Sequence, residues 1–144
     1  MALDQLKAEL CGEPILKLPD REKPYVLRTD ASDKAIAAVL FQEYDGVLFP
    51  TGYISRKLIP RERNYTISEK ECLAVVWAIN KFKVYLLGKD FHLQTDHQSL
   101  AYLNNAKFTN QRIMRWALAL QPYRFTVEYI RGTDNVGADL LSRL

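Results

Sequence analysis

The stretch "FHLQTDHQSLAYL", residues 91–103, decides the fold. It begins with apolar residues in alternation, stops abruptly on Asp96, and follows a long run with helical periodicity. An earlier stretch, "PYVLRTDASDKAIAAVL" (residues 24–40), breaks off in the same way at Asp30. Both breaks are written Thr-Asp, and each is followed within three residues by a serine. Two strands that each finish on a carboxylate ask for a common explanation.

Between them the chain changes character. Tyr25–Thr29, Ile36–Phe41 and Val47–Ile54 read as strands, with "EYDG" (residues 43–46) supplying a hairpin turn, so three strands form an antiparallel meander. In "TISEKECLAVVWAINKFKVYLLG" (residues 66–88), Leu73, Val76, Trp77, Ile79, Phe82, Leu86 and Leu87 recur mostly at three and four. That spacing predicts a long helix, with Ser68 as N-cap, Glu71 three residues on, and Gly88 as the stop. The stretch at residues 91–95 is then a fourth strand, "QSLAYLNN" a short helix, and "QRIMRWALALQ" an amphipathic helix stopped before Pro122. "RFTVEYI" alternates as a fifth strand, and "NVGADLLSRL" closes the chain as a helix. Strands, helix, strand, helices, strand, helix describe a mixed sheet with helices packed on it, an α/β fold. Residues 1–22 stand apart: Leu3, Leu6 and Leu10 mark a helix stopped by Gly12 and Pro14, and a linker leads into a single domain over residues 23–144.

The chain's 144 residues, 48% hydrophobic and 26% charged, suit an ordinary globular domain with a sizeable core. No window approaches the roughly 18 apolar residues of a membrane helix, and the charged start lacks a signal-peptide core. The expectation is an intracellular protein without a membrane partner. Cys11 and Cys72 show no metal-ligand spacing and read as reduced thiols. A net charge of +3 says little, but its distribution says more. Arg56, Lys57, Arg61, Arg63 and Lys70 crowd one stretch against Glu62 and Glu69, and Lys107, Arg112, Arg115, Arg124 and Arg131 another against Glu128. Two basic stretches flanking acidic motifs suit a polyanion held by its phosphates; a solvated charged face is the ordinary alternative.

Ligand sites in open sheets gather at the carboxyl ends of strands. If the strands ending on Asp30 and Asp96 are neighbours, their carboxylates lie side by side, and Glu71 in the long helix and Asp139 in the last one can be aimed at the same place. Four acids at one point repel unless cations compensate. A pair of magnesium ions roughly 3.5–4 Å apart does so and also suits phosphodiester hydrolysis, without a histidine or cysteine. Each acid has an ordinary alternative: Asp30 as a turn former, Asp96 as an N-cap, Glu71 as the acid of a capping box, Asp139 as a helix charge. Glu69 competes with Glu71 for the functional place.

Taken together, "LRTDAS", "YISRKLIPRERNYTISEKECLAVVWAINKFKVYLLG", "FHLQTDHQSL" and "YIRGTDNVGADLLSR", in this order, resemble the ribonuclease H domain of gypsy-type retrotransposon reverse transcriptases. The likeness runs from about Pro24 to the C-terminus, and the first twenty or so residues resemble the tail that joins a polymerase to this domain. It implies a five-stranded mixed sheet, three antiparallel strands then parallel strands, with helices on both faces. It also implies hydrolysis of the RNA strand of an RNA/DNA hybrid with two Mg2+ ions, for which Mn2+ can substitute, beside a polymerase domain in the same polyprotein. The family's catalytic and metal-binding acids fall on Asp30, Glu71, Asp96 and Asp139. Gln98, Ser32 and Ser68 fall where similar enzymes touch the hybrid, and Thr66 where a phosphate of the DNA strand is held. Arg56, Lys57, Arg61, Arg63, Arg112 and Arg115 are expected to grip backbone phosphates. "RGTDNVGAD" (residues 131–139) lacks the histidine that many ribonucleases H carry before the last aspartate, with Arg131 or a water as substitutes. His97 and His92 are expected to be structural. The rival reading is a non-catalytic ribonuclease H-like module, a polymerase connection or a domesticated domain that binds nucleic acid.

Overall fold

Tyr25–Ala31 (β1) is the central strand of a five-stranded sheet. In the computed structural model, which describes residue 20, residues 22–96 and residues 111–130, it is followed by Ala35–Tyr44 (β2) and Val47–Lys57 (β3). Next come Pro60–Arg63 (α1), Ile67–Lys81 (α2), Lys83–Leu86 (α3), Asp90–Thr95 (β4), Gln111–Ala119 (α4) and Arg124–Tyr129 (β5). Strand order is β3-β2-β1-β4-β5, antiparallel through the first three strands and parallel from β1 to β4 to β5. The helix and linker expected at residues 1–22 and the helices expected at 98–105 and 135–144 lie outside the described residues, Asp20 and residue 22 excepted.

Local chemistry explains the turns. Ser32 closes the β1–β2 connection: its hydroxyl accepts from Ala35 N at 3.1 Å, and its own N–H donates to Ala35 O at 2.8 Å. Asp45 and Gly46 sit at φ 51° and 80°, the paired left-handed residues that a two-residue hairpin turn requires. The register of β2 with β3 shifts between Leu40 and Phe41, and next to that bulge Gly52 admits the Phe82 ring, which would stand 3.3 Å from a Cβ placed there.

Leu27 of β1 is level with Leu40 of β2 and Leu93 of β4, and all three are fully buried. Cys72, Val75, Ala78 and Ile79 of α2 pack on that row, and Ile113, Ala117 and Leu120 extend the core under α4. Small side chains at Cys72, Ala74 and Ala78 let the helix lie close on the strands. On the opposite face Val26, Ala37 and Val39 are buried as well. Beside them Arg28 donates to Gln94 at 2.5 Å, and Gln94 to Glu128 at 3.2 Å. The described helices α2 and α4 share the first face, and no helix among the described residues covers the second.

Strands β2 and β3 run longer than the sequence reading, and three further differences bear on the site. Asp30 lies within β1 rather than after it, because β1 keeps pairing with β2 as far as Ala31↔Ile36. Helix α2 starts two residues early: Thr66, not Ser68, is the N-cap, accepting from Glu69 N at 3.1 Å while Glu69 accepts from Thr66 N at 2.9 Å. The run to Gly88 is also not one helix. It breaks at Phe82, whose φ of −97° and ψ of 20° turn its ring into the core before α3 resumes. Gly88, at φ 84°, ends α3 as its sequence position suggests. Replacing Thr66 by Ala removes one arm of a reciprocal cap, and a loss of about 1 kcal/mol in urea unfolding is expected.

Candidate metal centre

The parallel register sets the site. Tyr25 stands opposite Phe91 and Arg28 opposite Gln94; the same offset carried two residues on puts Asp30 level with Asp96. Glu71 comes from the first half of α2, which packs on β1 and β2. One carboxylate oxygen from each of Asp30, Glu71 and Asp96 lies within 4.8 Å of the others. Asp30 and Glu71 are buried, at 2% and 6% exposure, and Asp96 is half-buried.

Like charges this close, shielded from water, favour a cation between them. The donors are all hard oxygens, the type magnesium, manganese and calcium take, and ligands at about 2.1–2.5 Å from one ion stand up to about twice that apart. The donor set therefore fits a divalent cation. Asp139, the fourth acid of the expected set, lies outside the described residues, as do Gln98, His97 and Arg131.

The family described as "RNase H-like domain found in reverse transcriptase" matches residues 20–123. This chain belongs to that family. The RNase H-like domain is 46% identical over 143 residues to the Retrovirus-related Pol polyprotein from transposon 297 of Drosophila melanogaster, covering 99% of the chain and 13% of that polyprotein. Among solved structures, its fold is similar to the foamy viral protease-reverse transcriptase dRH in complex with ds DNA, with a TM-score of 0.70 and 22% identity over 90% of this chain and 25% of that one. It is also similar to LC11-RNase H1 in complex with RNA/DNA hybrid, with a TM-score of 0.63 and 13% identity over 81% of this chain and 92% of that one.

Within this RNase H-like domain, the two glutamates of α2's start have different surroundings. Glu69 has both oxygens occupied: Oε1 accepts from Thr66 N and Oε2 from Arg112 Nη1 at 2.5 Å. Its carboxyl is held below the usual range, first by the Thr66 N–H and then by Arg112. Glu71 instead joins the acid cluster. Cys72, beside it in sequence, is buried among apolar atoms that push its thiol up to about 12, so it remains a neutral packing group.

The basic residues divide in two. Arg56 is committed to a bidentate pair with Glu62, at 2.7 and 3.0 Å, and lies over Trp77, 5.7 Å from the ring centre. Arg112 pairs with Glu69 and stacks on Tyr65 at 4.2 Å. Neither is the freely extended phosphate contact that a basic run suggests. Lys57, Arg61, Arg63 and Arg115 are exposed. Ser32 serves its turn and Thr66 its cap, while Ser68 is half-buried in the first turn of α2. His92, expected to pack, is instead half-exposed and pairs with Glu128 at 3.0 Å.

Sequence reading missed α1 and its use of Glu62. Pro60 at the first helical position was the available signal, and Glu62 three residues after Ile59 accepts from Ile59 N at 3.0 Å. The Arg56 guanidinium holds the Glu62 carboxyl below the usual range, ahead of the Ile59 N–H. A depressed carboxyl stabilises the fold fully above its unfolded pKa, about 4.3, and that contribution drains away as pH falls through the lower folded value. Urea midpoints should therefore drop below about pH 4 in the wild type, and Glu62→Gln should be less stable at pH 7 but show a flatter acid decline.

Proposed function

We propose that this domain is a ribonuclease H, cutting the RNA strand of an RNA/DNA hybrid during reverse transcription. The observation that carries the reading is the meeting of Asp30, Glu71 and Asp96, delivered by two adjacent parallel strands and a helix, at one point. Asp30, Glu71 and Asp96, with Asp139 as the fourth acid, are the residues that hold the cations. Bound there, a pair of magnesium ions, or manganese in their place, supplies an activated water and stabilises the charge of the departing 3′-oxygen.

The chain's own groups do the rest. Burial of Asp30 and Glu71 fixes their carboxylates before substrate arrives, so little reorganisation is left for the reaction. Exposed Lys57, Arg61, Arg63 and Arg115 meet backbone phosphates, and Ser32, Ser68 and Gln98 border the hybrid. The reading also places the domain beside a polymerase in one polyprotein, inside a cytoplasmic particle or the nucleus.

The test is cleavage of a labelled RNA strand in an RNA/DNA hybrid, with Mg2+ or Mn2+, at high enzyme and low salt. Cutting should vanish with EDTA and be absent on DNA duplex; a chain that binds the hybrid without cutting it would be a binding module instead. Neutralising Lys57, Arg61 and Arg63 together should weaken hybrid binding and flatten the dependence of log affinity on log salt, by roughly 0.7–0.9 for each phosphate that goes unneutralised.

A further inference from the structure

The start of α2 holds two glutamates, Glu69 in the first turn and Glu71 just past it, two residues and so about 200° apart around the helix. Only Glu71 reaches Asp30 and Asp96. Glu69 is turned the other way and gripped from outside the helix by Arg112 of α4, an element 43 positions further on. The Arg112 guanidinium in turn lies on the Tyr65 ring at 4.2 Å, and Tyr65 meets Trp116 of α4 with ring centres 6.1 Å apart. Tyr65, Thr66 and Glu69 all belong to the entry into α2, and α4 clamps that entry through Arg112 and Trp116.

We infer that Arg112 is a positioning residue for the metal centre: by fixing Glu69 against α4, it sets the rotation and height of the first turn, directly after which Glu71 projects. The inference rests on the metal-centre reading of Asp30, Glu71 and Asp96. Its physical basis is geometric. A helix's first turn has backbone N–H groups with no intrahelical partner and frays most readily. Glu69 closes that turn through Thr66, and Arg112 anchors Glu69 to a second helix. A charge strut of this kind does for Glu71 what an orienting carboxylate does for a histidine ligand.

The sign of the effect separates positioning from simple electrostatics. Removing a cation near an acidic cluster tightens metal binding if charge alone matters. Removing a strut weakens it. The experiment is Mn2+ binding to the full metal-free chain, followed by electron paramagnetic resonance of free Mn2+, with no nucleic acid present. Arg112→Met should bind Mn2+ about tenfold more weakly, the low end of what ligand-orienting residues contribute, and Arg112→Lys should recover most of the loss. Tyr65→Leu changes no charge and should move affinity the same way, which keeps the test open if Arg112→Met does not fold. Amide exchange should quicken at Ser68–Glu71 and stay unchanged at Val75–Ala78. Mn2+ binding by Arg112→Met as tight as wild type, or tighter, overturns this inference alone. A wild-type chain that binds no Mn2+, or an Asp30→Asn chain that binds it equally, overturns the metal reading and this inference with it.

Discussion

Asp96→Asn should leave the RNA of an RNA/DNA hybrid essentially uncut, with the rate down by roughly 10²-fold or more, the scale on which removal of one preorganised electrostatic group slows a reaction. The substitution separates the two jobs open to this residue. Asparagine caps a helix about as well as aspartate, so a capping role survives the change. A negative charge and a hard anionic oxygen are lost, so a ligating role does not. Relief of repulsion with Asp30 and Glu71 should also leave the metal-free fold as stable as wild type, or more stable. Initial rates on a labelled hybrid, beside thermal unfolding of the two chains without metal, give both answers. An Asp96→Asn chain that cuts at the wild-type rate removes Asp96 from the active site.

The largest stability effect should come from Leu27→Ala. Leu27 is fully buried on the central strand, level with Leu40 on one side and Leu93 on the other, beneath α2. Truncation takes apolar atoms out of a row fixed by backbone hydrogen bonds on both flanks. The sheet cannot close around the gap, and a cost of about 2–5 kcal/mol follows from lost transfer energy and residual cavity together. Urea unfolding measures it; a cost under about 1 kcal/mol would mean that the row is loosely packed.

Much of the sheet was readable because its signals are local. The "EYDG" turn announces itself through residues that tolerate positive φ, and the strands through alternation. What escaped reading depends on distant partners. Thr66-x-x-Glu69 and Ser68-x-x-Glu71 both satisfy the capping-box pattern, and nothing within the helix chooses between them. Pairing of Glu69 with Arg112 goes with the first choice, and the same pairing leaves Glu71 for the acid cluster. The break at Phe82 has no proline or glycine to mark it; it follows from a ring fitting beside Gly52 of β3. Arg56 reads as part of a basic run, yet Glu62, six residues away, takes up its charge across a turn. The nearness of Asp30 to Asp96 rests on strand order, which periodicity does not encode; the likeness of the two Thr-Asp breaks was the one local hint.

The hairpin tip at Asp45–Gly46 lies at the opposite end of the sheet from the acids, beyond the Tyr25–Gln42 pair, whereas Asp30 is level with Ala37. Extra residues spliced into that tip lengthen a turn and leave the phase of β1 and β4 untouched. A single residue inserted between Phe91 and Thr95 instead flips the remainder of β4 to the other face and swings Asp96 away from its partners. The domain thus has a permissive port for grafting a tag or tether and, a few strands away, a segment that tolerates no change in length.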